Sequence, residues 1–222
     1  MINIAIDGVG GSGKSTLARG LAKRLGYRVL DTGAIYRGLA CEYKAQGYGK
    51  PTEEIISKFI KDIKVELFFE EELQHVVVNG TDYTAGLRSE EISTLSSIIS
   101  PFDNLRQKVR DLQRDFAKKY NCVIEGRDIG RVVIPNADLK LFVTAKPEIR
   151  AQRRFDQIKD KPNAPTFEAV LEELNKRDYL DIHREVAALV PADDAIILDT
   201  SFMTLEQSID KCEELVKARI KA

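Results

Sequence analysis

The 222-residue sequence is poor in the side chains that make disulfide scaffolds and metal centres, with only three cysteines and two histidines. The cysteines, Cys41, Cys122 and Cys212, are odd in number and far apart. That spacing excludes a disulfide framework and predicts reduced, structural thiols. Neither His75 nor His183 lies in a cluster of His, Cys or Asp residues, so we expect no metal centre built on them.

The sequence also lacks a long apolar run and a strong excess of charge. No apolar stretch approaches the roughly 18 residues that a transmembrane helix needs. Met1 leads directly into a strand-like segment, so we expect no signal peptide and a cytoplasmic location. The formal net charge is −1, and no basic stripe is interleaved with aromatic residues. We therefore expect neither nucleic acid nor a membrane surface as a partner, and any anion site must be built locally.

What the sequence does contain is a series of short apolar runs that alternate with helical patterns. The runs are not cleanly amphipathic, which is typical of strands in a parallel sheet covered on both faces. Leu17, Leu21 and Leu25 lie on one helical stripe, and Gly26 is placed to end that helix. The strand-like runs occupy residues 2–6, 27–30, 122–125, 139–143 and 195–198. The pattern predicts an α/β fold.

A long excursion interrupts this rhythm between about 33 and 118. Strand-like segments at 65–69 and 75–78 lie within it. Asn79-Gly80 follows the second of them and is the dipeptide typical of a two-residue hairpin turn. We therefore expect a small antiparallel sheet in this region.

Two further boundaries are indicated by turn and capping residues. Ser100, Pro101 and Asp103 form the pattern of a helix start, with Ser100 as the N-cap and Pro101 at the first position. The segment 155–165 is polar and punctuated by proline, which predicts a mobile loop between two helices.

The segment GVGGSGKS, from Gly8 to Ser15, fits the phosphate-binding P-loop pattern GxxxxGK[ST]. A strand-like run precedes it and a helical pattern follows, which favours a P-loop over an ordinary glycine-rich turn. Glycines let backbone N–H groups approach an anion, and the helix N-terminus adds partial positive charge. Lys14 would bind the β- and γ-phosphates of a nucleoside triphosphate, and Ser15 would offer its hydroxyl to Mg²⁺. The predicted nucleotide-binding residues of the loop are Gly8, Val9, Gly10, Gly11, Ser12, Gly13, Lys14, Ser15 and Thr16.

Basic residues outside the P-loop gather in four clusters. The cluster EGRDIGR at 125–131 directly follows the strand-like run CVI. Ligands of open parallel sheets collect beyond the carboxyl ends of strands, so Arg127 and Asp128 lie where chemistry is expected. Any single arginine is better explained as a solvated partner of Asp or Glu. Like charges on one helical face repel each other, however, so the clusters together favour a polyphosphate ligand. The clusters are DTGAIYR at 31–37, EGRDIGR at 125–131, RAQRR at 150–154 and RDYLDIHR at 177–184.

Six motifs, in this order, resemble those of the bacterial cytidylate kinases, a family of nucleoside monophosphate kinases. The likeness covers essentially the whole chain. The resemblance implies transfer of the γ-phosphoryl group of ATP, with Mg²⁺, to CMP or dCMP by a monomeric enzyme. The motifs are GxxGSGKST at 8–16, LDTGAIYR at 30–37, IEGRDIG at 124–130, RAQRR at 150–154, RDYLD at 177–181 and LVPADDAIILDT at 189–200.

The resemblance also implies a fold and a division of the chain. The fold is a single P-loop kinase domain over residues 1–222, with a five-stranded parallel sheet and helices on both faces. The small antiparallel sheet expected near Asn79-Gly80 resembles one that marks the bacterial members. The implied parts are a core of 1–32, 119–149 and 167–222, an insertion at about 33–118 that binds the nucleoside monophosphate, and a short lid at about 150–166.

The resemblance assigns individual residues to the acceptor nucleotide. Arg37 would contact its phosphate, with Thr32 and Tyr36 beside it. The cytosine-binding positions are Ser97, Arg106 and Asp128, the remaining phosphate-contacting arginines are Arg127, Arg177 and Arg184, and the ribose-binding position is Asp181.

The same resemblance places Arg150, Arg153 and Arg154 in the lid, near the donor phosphates. An acceptor phosphate is already ionised at neutral pH, so the reaction needs no general base and depends on positioning and charge neutralisation. The expected catalytic residues are Lys14, Arg127, Arg154 and Arg184.

Two positions depart from the family pattern. Val9 stands where proline is frequent, and Arg131 stands where threonine is common. The nearest alternative is another small P-loop kinase, acting on UMP, AMP or shikimate. A nucleotide-gated switch is disfavoured, because the sequence has no NKxD-type guanine reader and a switch needs no second basic pocket.

Overall fold

A computed structural model shows the chain folded around a five-stranded and a three-stranded sheet. The structure describes residues 1–70, 73–87, 89–160, 162, 164–183, 186 and 188–220. The strands are β1 (Asn3–Gly8), β2 (Arg28–Asp31), β3 (Val65–Glu70), β4 (Leu73–Val78), β5 (Thr81–Asp82), β6 (Cys122–Glu125), β7 (Leu139–Thr144) and β8 (Ile196–Asp199). The α-helices are α1 (Lys14–Leu25), α2 (Thr32–Ala45), α3 (Glu53–Lys61), α4 (Glu90–Ile99), α5 (Asp103–Lys119), α6 (Pro147–Ile158), α7 (Phe167–His183) and α8 (Leu205–Ile220). A 3₁₀ turn at Thr84–Gly86 and a π-helical turn at Ile129–Val133 complete the described elements.

The five-stranded sheet is parallel, with the strand order β2-β6-β1-β7-β8 and β1 at its centre. Ala5 of β1 faces a core that includes side chains of α2, α3 and α5. Ile4 and Ile6 face the opposite core, which includes side chains of α1 and α8. Both faces of the three central strands are covered, so β1, β6 and β7 are largely buried on both sides. The predicted α/β fold is confirmed.

Glycines set both ends of α1. Gly13 (φ 86°) directly precedes the helix and Gly26 (φ 68°) directly follows it, both in the left-handed region. Leu17 and Leu21 of the predicted stripe are buried between α1 and the sheet. The predicted end of the helix at Gly26 is therefore confirmed, and its N-terminus lies at the carboxyl end of β1.

The small sheet is antiparallel, with β4 between β3 and β5. Asn79 and Gly80 join β4 to β5 with φ values of 51° and 82°, which fits a type I′ hairpin turn and confirms the predicted one. Val76 and Val78 of β4 face Gly38 of α2, where a Cβ would lie 2.5 Å from Val76 Cγ1. The small sheet can therefore approach α2 closely only because residue 38 is glycine.

Two predicted boundaries are wrong. Ser100 is not an N-cap, because its backbone is helical (φ −64°, ψ −22°) and its N–H donates to Ser96, which makes it the end of α4. The next helix starts later than predicted, at Asp103. The predicted loop 155–165 starts too early, because α6 continues to Ile158.

The three cysteines are buried and free, as predicted. Burial raises the pKa of Cys122 and of Cys212 to about 12, and it raises the pKa of Cys41 above its usual value. Within the described ranges, every helix is too short or too polar to span a bilayer.

Candidate functional site

A cavity of about 260 Å³ opens at the carboxyl ends of β1, β2 and β6. The P-loop, α2, α4, α5, α7 and the turn after β6 all contribute to its walls. One sequence-predicted substrate residue, Arg184, lies outside the described residues. The predicted substrate residues that line the cavity are Thr32, Tyr36, Arg37, Ser97, Arg106, Arg127, Asp128, Arg177 and Asp181. The fold therefore brings together residues from four of the six motifs, with Ser97 and Arg106 from outside them.

The P-loop forms one wall of this cavity. Gly8, where the loop leaves β1, lies so close to β7 that a Cβ would come within 2.0 Å of the Val143 carbonyl oxygen. Only glycine allows the loop to leave the sheet at this point. The loop residues that line the cavity are Gly10, Gly11, Lys14 and Ser15, and the other predicted members, Gly8, Val9, Ser12, Gly13 and Thr16, surround them in sequence.

Lys14 is buried in the cavity wall, and its Nζ donates a hydrogen bond to the Val9 carbonyl oxygen at 3.1 Å. Burial lowers the pKa of Lys14 to about 7, and the positive charge of Arg127 acts in the same direction. The carboxylate of Glu125 opposes this shift only in part. An anion placed beside Lys14 would relieve the cost of charging it.

Asp7 of β1 is a buried acidic residue that lies outside the predicted motifs. It accepts hydrogen bonds from the N–H groups of Ile129 and Gly130, both at 2.8 Å. Burial nevertheless raises the pKa of Asp7 to about 6. These bonds fix the turn after β6, and that turn carries Asp128 into the cavity.

Glu125, the last residue of β6, lies in a predicted motif but was not itself predicted as a site residue. It is buried and accepts a hydrogen bond from Ser15 Oγ at 2.6 Å, while its backbone carbonyl accepts one from Thr32 Oγ1 at 2.7 Å. Burial, and then the charge of Asp31, raises the pKa of Glu125. Glu125 thereby joins the P-loop to the start of α2. The sequence signal that could have identified Glu125 is an acidic residue at the end of an apolar strand. Asp7, the second-last residue of β1, has nearly the same position.

Arg106 and Asp128 form a buried ion pair. Arg106 Nη2 lies 2.5 Å from Asp128 Oδ2, and the two side chains are 5% and 8% exposed. Ser97 lines the same cavity from α4, and its hydroxyl donates to the Ser93 carbonyl oxygen at 3.0 Å. A guanidinium beside a carboxylate offers donors and acceptors side by side, which suits the edge of a base with the opposite pattern.

Three other arginines converge on the cavity. Arg127 Nε donates to Asp181 Oδ2 at 3.0 Å, and Arg37 Nη2 lies 3.3 Å from Asp31 Oδ2. The pKa of Arg177 is lowered by desolvation and then by the charge of Arg127. Guanidiniums that disfavour one another's charge in this way favour a bound polyanion.

In the part of the chain that the structure describes, the predicted lid arginines Arg150, Arg153 and Arg154 lie outside this cavity. Arg150 is buried, and its Nη1 donates to the Gly10 carbonyl oxygen at 2.9 Å. Arg153 Nη2 donates to the Thr200 carbonyl oxygen at 2.7 Å, and Arg154 is exposed. Arg150 therefore supports the P-loop backbone here, and contact of these arginines with donor phosphates stays a prediction.

Comparison with known proteins identifies the family of this chain. The sequence profile described as cytidylate kinase matches residues 4–218. The chain is 41% identical over 221 residues to the cytidylate kinase of Thermotoga neapolitana, covering 99% of this chain and 98% of that one. It is 42% identical over 222 residues to the cytidylate kinase of an Exiguobacterium species, covering 98% of each. The chain belongs to the cytidylate kinase family.

Solved structures with the same architecture support the fold of this cytidylate kinase family member. An uncharacterized protein from Eubacterium ventriosum aligns with a TM-score of 0.54 at 14% identity, covering 98% of each chain. Shikimate kinase from Bacteroides thetaiotaomicron aligns with a TM-score of 0.50 at 13% identity, covering 97% of this chain and 98% of that one. Identities this low support the fold alone, and they confirm the predicted P-loop kinase fold.

Nucleotide binding to this cytidylate kinase family member is expected to take up a proton. Because its pKa is about 7, Lys14 is largely uncharged in the free protein above that pH. A triphosphate beside the amine favours the charged form, so a proton should enter with ATP at about pH 8, and far less at about pH 6, where Lys14 is already charged. Calorimetric titration with ATP alone, in two buffers of different ionisation enthalpy, measures this uptake.

The matched control for proton uptake is Lys14→Met, which removes the titrating amine. The uptake at about pH 8 should disappear in this variant. Equal uptake at both pH values by the wild-type protein would contradict the lowered pKa of Lys14.

Proposed function

We propose that this protein transfers the γ-phosphoryl group of ATP to CMP or dCMP, giving ADP and CDP or dCDP. The observation that carries the proposal is the buried Arg106–Asp128 pair, which opens into the same cavity as the P-loop residue Lys14. A P-loop alone fits GTPases and ATPases as well as kinases. The Arg106–Asp128 pair adds a second group that can recognise a ligand in the same cavity. This arrangement fits an enzyme that binds two nucleotides at the same time. Family membership over residues 4–218 supports the same activity.

Recognition of the acceptor base follows from hydrogen-bond polarity. Cytosine presents an amino donor where uracil presents a carbonyl acceptor. The Asp128 carboxylate accepts from the first and repels the second, while Arg106, held by Asp128, donates to the acceptors of the ring. We assign Ser97 to the same base edge and Asp181 to the ribose hydroxyls, on the positions of their motifs.

Phosphoryl transfer in this cavity depends on positioning and on neutralising charge. We propose that Lys14 neutralises the β- and γ-phosphates of ATP. Arg37, Arg127 and Arg177 would hold the acceptor phosphate in line with them, since all three line the cavity. Arg154 and Arg184 complete the proposed catalytic set, on the positions of their motifs.

Ser15 and Glu125 fit a Mg²⁺ ion that arrives with ATP. Hydroxyl and carboxylate oxygens are the hard ligands that Mg²⁺ prefers, and it usually retains waters and substrate phosphates in its coordination shell. Ser15 Oγ lies 2.6 Å from Glu125 Oε1. Among the described residues no group of three or more His, Cys, Asp or Glu side chains could hold a metal ion by itself. When bound, the ion would neutralise charge on the phosphates, with Ser15 and Glu125 supplying oxygen atoms from the protein.

The proposed division of labour along the chain fits the walls of the cavity. Residues from about 33–118 contribute α4 and α5, which carry the proposed base-binding positions. The core residues 1–32, 119–149 and 167–222 contribute the P-loop and α7, and 150–166 form the proposed lid. We propose a cytoplasmic location, because the proposed substrates are soluble nucleotides, and a monomer, on the family resemblance alone.

A panel of acceptors tests the proposed function. ADP release should be measured with ATP and Mg²⁺ in the presence of CMP, dCMP, UMP or AMP. We expect CMP and dCMP to give rapid release and UMP to be slower by about tenfold or more, because one misplaced polar group costs roughly 1–3 kcal/mol. Faster ADP release with AMP or UMP than with CMP would show that CMP is not the preferred acceptor. ADP release without any acceptor would indicate a hydrolase.

A further inference from the structure

We propose that Gln74 of β4 is a positioning residue for Arg37, acting through Asp31. This inference rests on the proposed function, in which Arg37 holds the acceptor phosphate. It gives the small antiparallel sheet a part in binding the acceptor, although Gln74 is not among the described residues that line the cavity.

The Gln74 side chain forms two hydrogen bonds with the backbone of Asp31. The Asp31 N–H donates to Gln74 Oε1 at 2.8 Å, and Gln74 Nε2 donates to the Asp31 carbonyl oxygen at 3.2 Å. Asp31 ends β2, the edge strand of the parallel sheet, and pairs with Glu125 on its inner side. An edge strand has unpaired N–H and C=O groups on its outer side. The Gln74 amide satisfies both groups of residue 31, as a neighbouring strand would.

The side chain of Asp31 passes this constraint on to Arg37. Asp31 Oδ1 accepts from the Ala34 N–H at 2.8 Å, which caps the N-terminus of α2. The same carboxylate lies 3.3 Å and 3.5 Å from Arg37 Nη2, through Oδ2 and Oδ1. A carboxylate with these partners holds both the first turn of α2 and the guanidinium that α2 carries.

Gly33 leaves the space in which this contact forms. A Cβ at Gly33 would lie 2.8 Å from Arg37 Nη1 and 3.2 Å from Asp31 Oδ1. The guanidinium of Arg37 therefore folds over the first turn of α2, and its direction depends on where the Asp31 carboxylate stands.

The position of Gln74 is itself fixed by packing. Val76 and Val78, which share a face of β4 with Gln74, pack against Gly38 of α2. Gln74 is also paired in register with Phe69 of β3. The strand β4 that carries the Gln74 amide thus packs on α2. From that strand the amide contacts Asp31, the residue that caps the first turn of the same helix.

Steady-state kinetics of Gln74→Ala tests this inference. We expect kcat/KM for CMP to fall about tenfold, because a misplaced arginine loses part of its paired hydrogen bonding to phosphate. The KM for ATP should stay unchanged. In the Arg37→Ala background, Gln74→Ala should have no further effect on CMP, because the residue through which it acts is gone. Full additivity of the two substitutions would overturn the inference.

The matched control is Val77→Ala, which weakens the same strand from its opposite face. Its melting temperature should fall as much as that of Gln74→Ala or more, with the KM for CMP unchanged. An equal loss of CMP affinity in both variants would show that Gln74 acts only through the stability of the sheet.

A second readout needs no substrate. The Arg37 Nε–Hε resonance, assigned by comparison with Arg37→Lys, should shift or broaden in Gln74→Ala and keep its position in Val77→Ala. An unchanged resonance in Gln74→Ala overturns the inference even if CMP is a substrate. Wild-type protein that leaves CMP unphosphorylated would defeat the proposed function instead, and the resonance would still decide whether Gln74 positions Arg37.

Discussion

Lys14→Met is expected to lower kcat for CMP phosphorylation by about 10²- to 10³-fold, the usual cost of removing one preorganised electrostatic group. The lysine is the P-loop cation in the cavity wall, and methionine has nearly its length without its charge. Because burial disfavours the charged amine, the variant should fold at least as stably as the wild type. Turnover is measured by coupled ADP release with saturating ATP and CMP, and stability by thermal melting.

The control for Lys14→Met is Lys23→Met, which removes an exposed lysine from the same helix. Its turnover should match that of the wild-type protein. A Lys14→Met variant with kcat within about tenfold of wild type would contradict the placement of Lys14 beside the transferred phosphoryl group.

Asp128→Asn is expected to reduce the preference for CMP over UMP by about tenfold or more. The amide can rotate to donate to the uracil carbonyl, whereas the carboxylate cannot. The substitution also leaves the buried guanidinium of Arg106 without its counter-charge, so the free energy of unfolding should fall by about 3 kcal/mol. The ratio of kcat/KM values for the two acceptors, with urea unfolding of the free protein, measures both effects.

A double variant separates base recognition from stability. Replacing the pair as Arg106→Met with Asp128→Leu removes both charges and keeps much of the buried volume. Stability should return to the wild-type level or exceed it, since hydrophobic groups often replace a buried ion pair without loss. Discrimination between CMP and UMP should not return. A double variant that still prefers CMP as strongly as the wild type does would show that the pair only supports the fold.

The parallel sheet, α1 and the P-loop could be predicted because their signals are local. The residue spacing from Gly8 to Ser15 is enough to predict the conformation of the loop. Gly26 ends α1 because glycine readily adopts the left-handed conformation found there. The helix start assigned to Ser100 failed because α4 runs on through that residue before the chain turns. Serine followed by proline favours a helix start only where the preceding residues are not already helical.

The buried carboxylates could not be predicted in the same way. Asp7 lies within β1, and its partners at Ile129 and Gly130 are more than a hundred residues away along the chain. The amide of Gln74 is similar, because its contact with Asp31 depends on how the small sheet packs on α2. Such contacts are set by tertiary packing, which one sequence does not reveal.

The sequence pattern of α6 identified its arginines but not the groups that each of them contacts. The cluster RAQRR at 150–154 and the family resemblance predict Arg150, Arg153 and Arg154 as one phosphate-binding set. The structure buries Arg150 against the P-loop backbone and leaves Arg154 exposed. Periodicity predicts which side of a helix residues share, and the neighbouring elements decide what each of them contacts.

In the absence of ligand, the basic and acidic side chains that line the cavity largely balance each other's charge. The described residues that line it include five basic and four acidic side chains. Arg37, Arg106 and Arg127 each already contact a carboxylate. With a net charge of −1 for the whole chain, little long-range field extends into solvent to draw nucleotides in. Capture should therefore proceed at an unsteered diffusional rate that varies little with ionic strength.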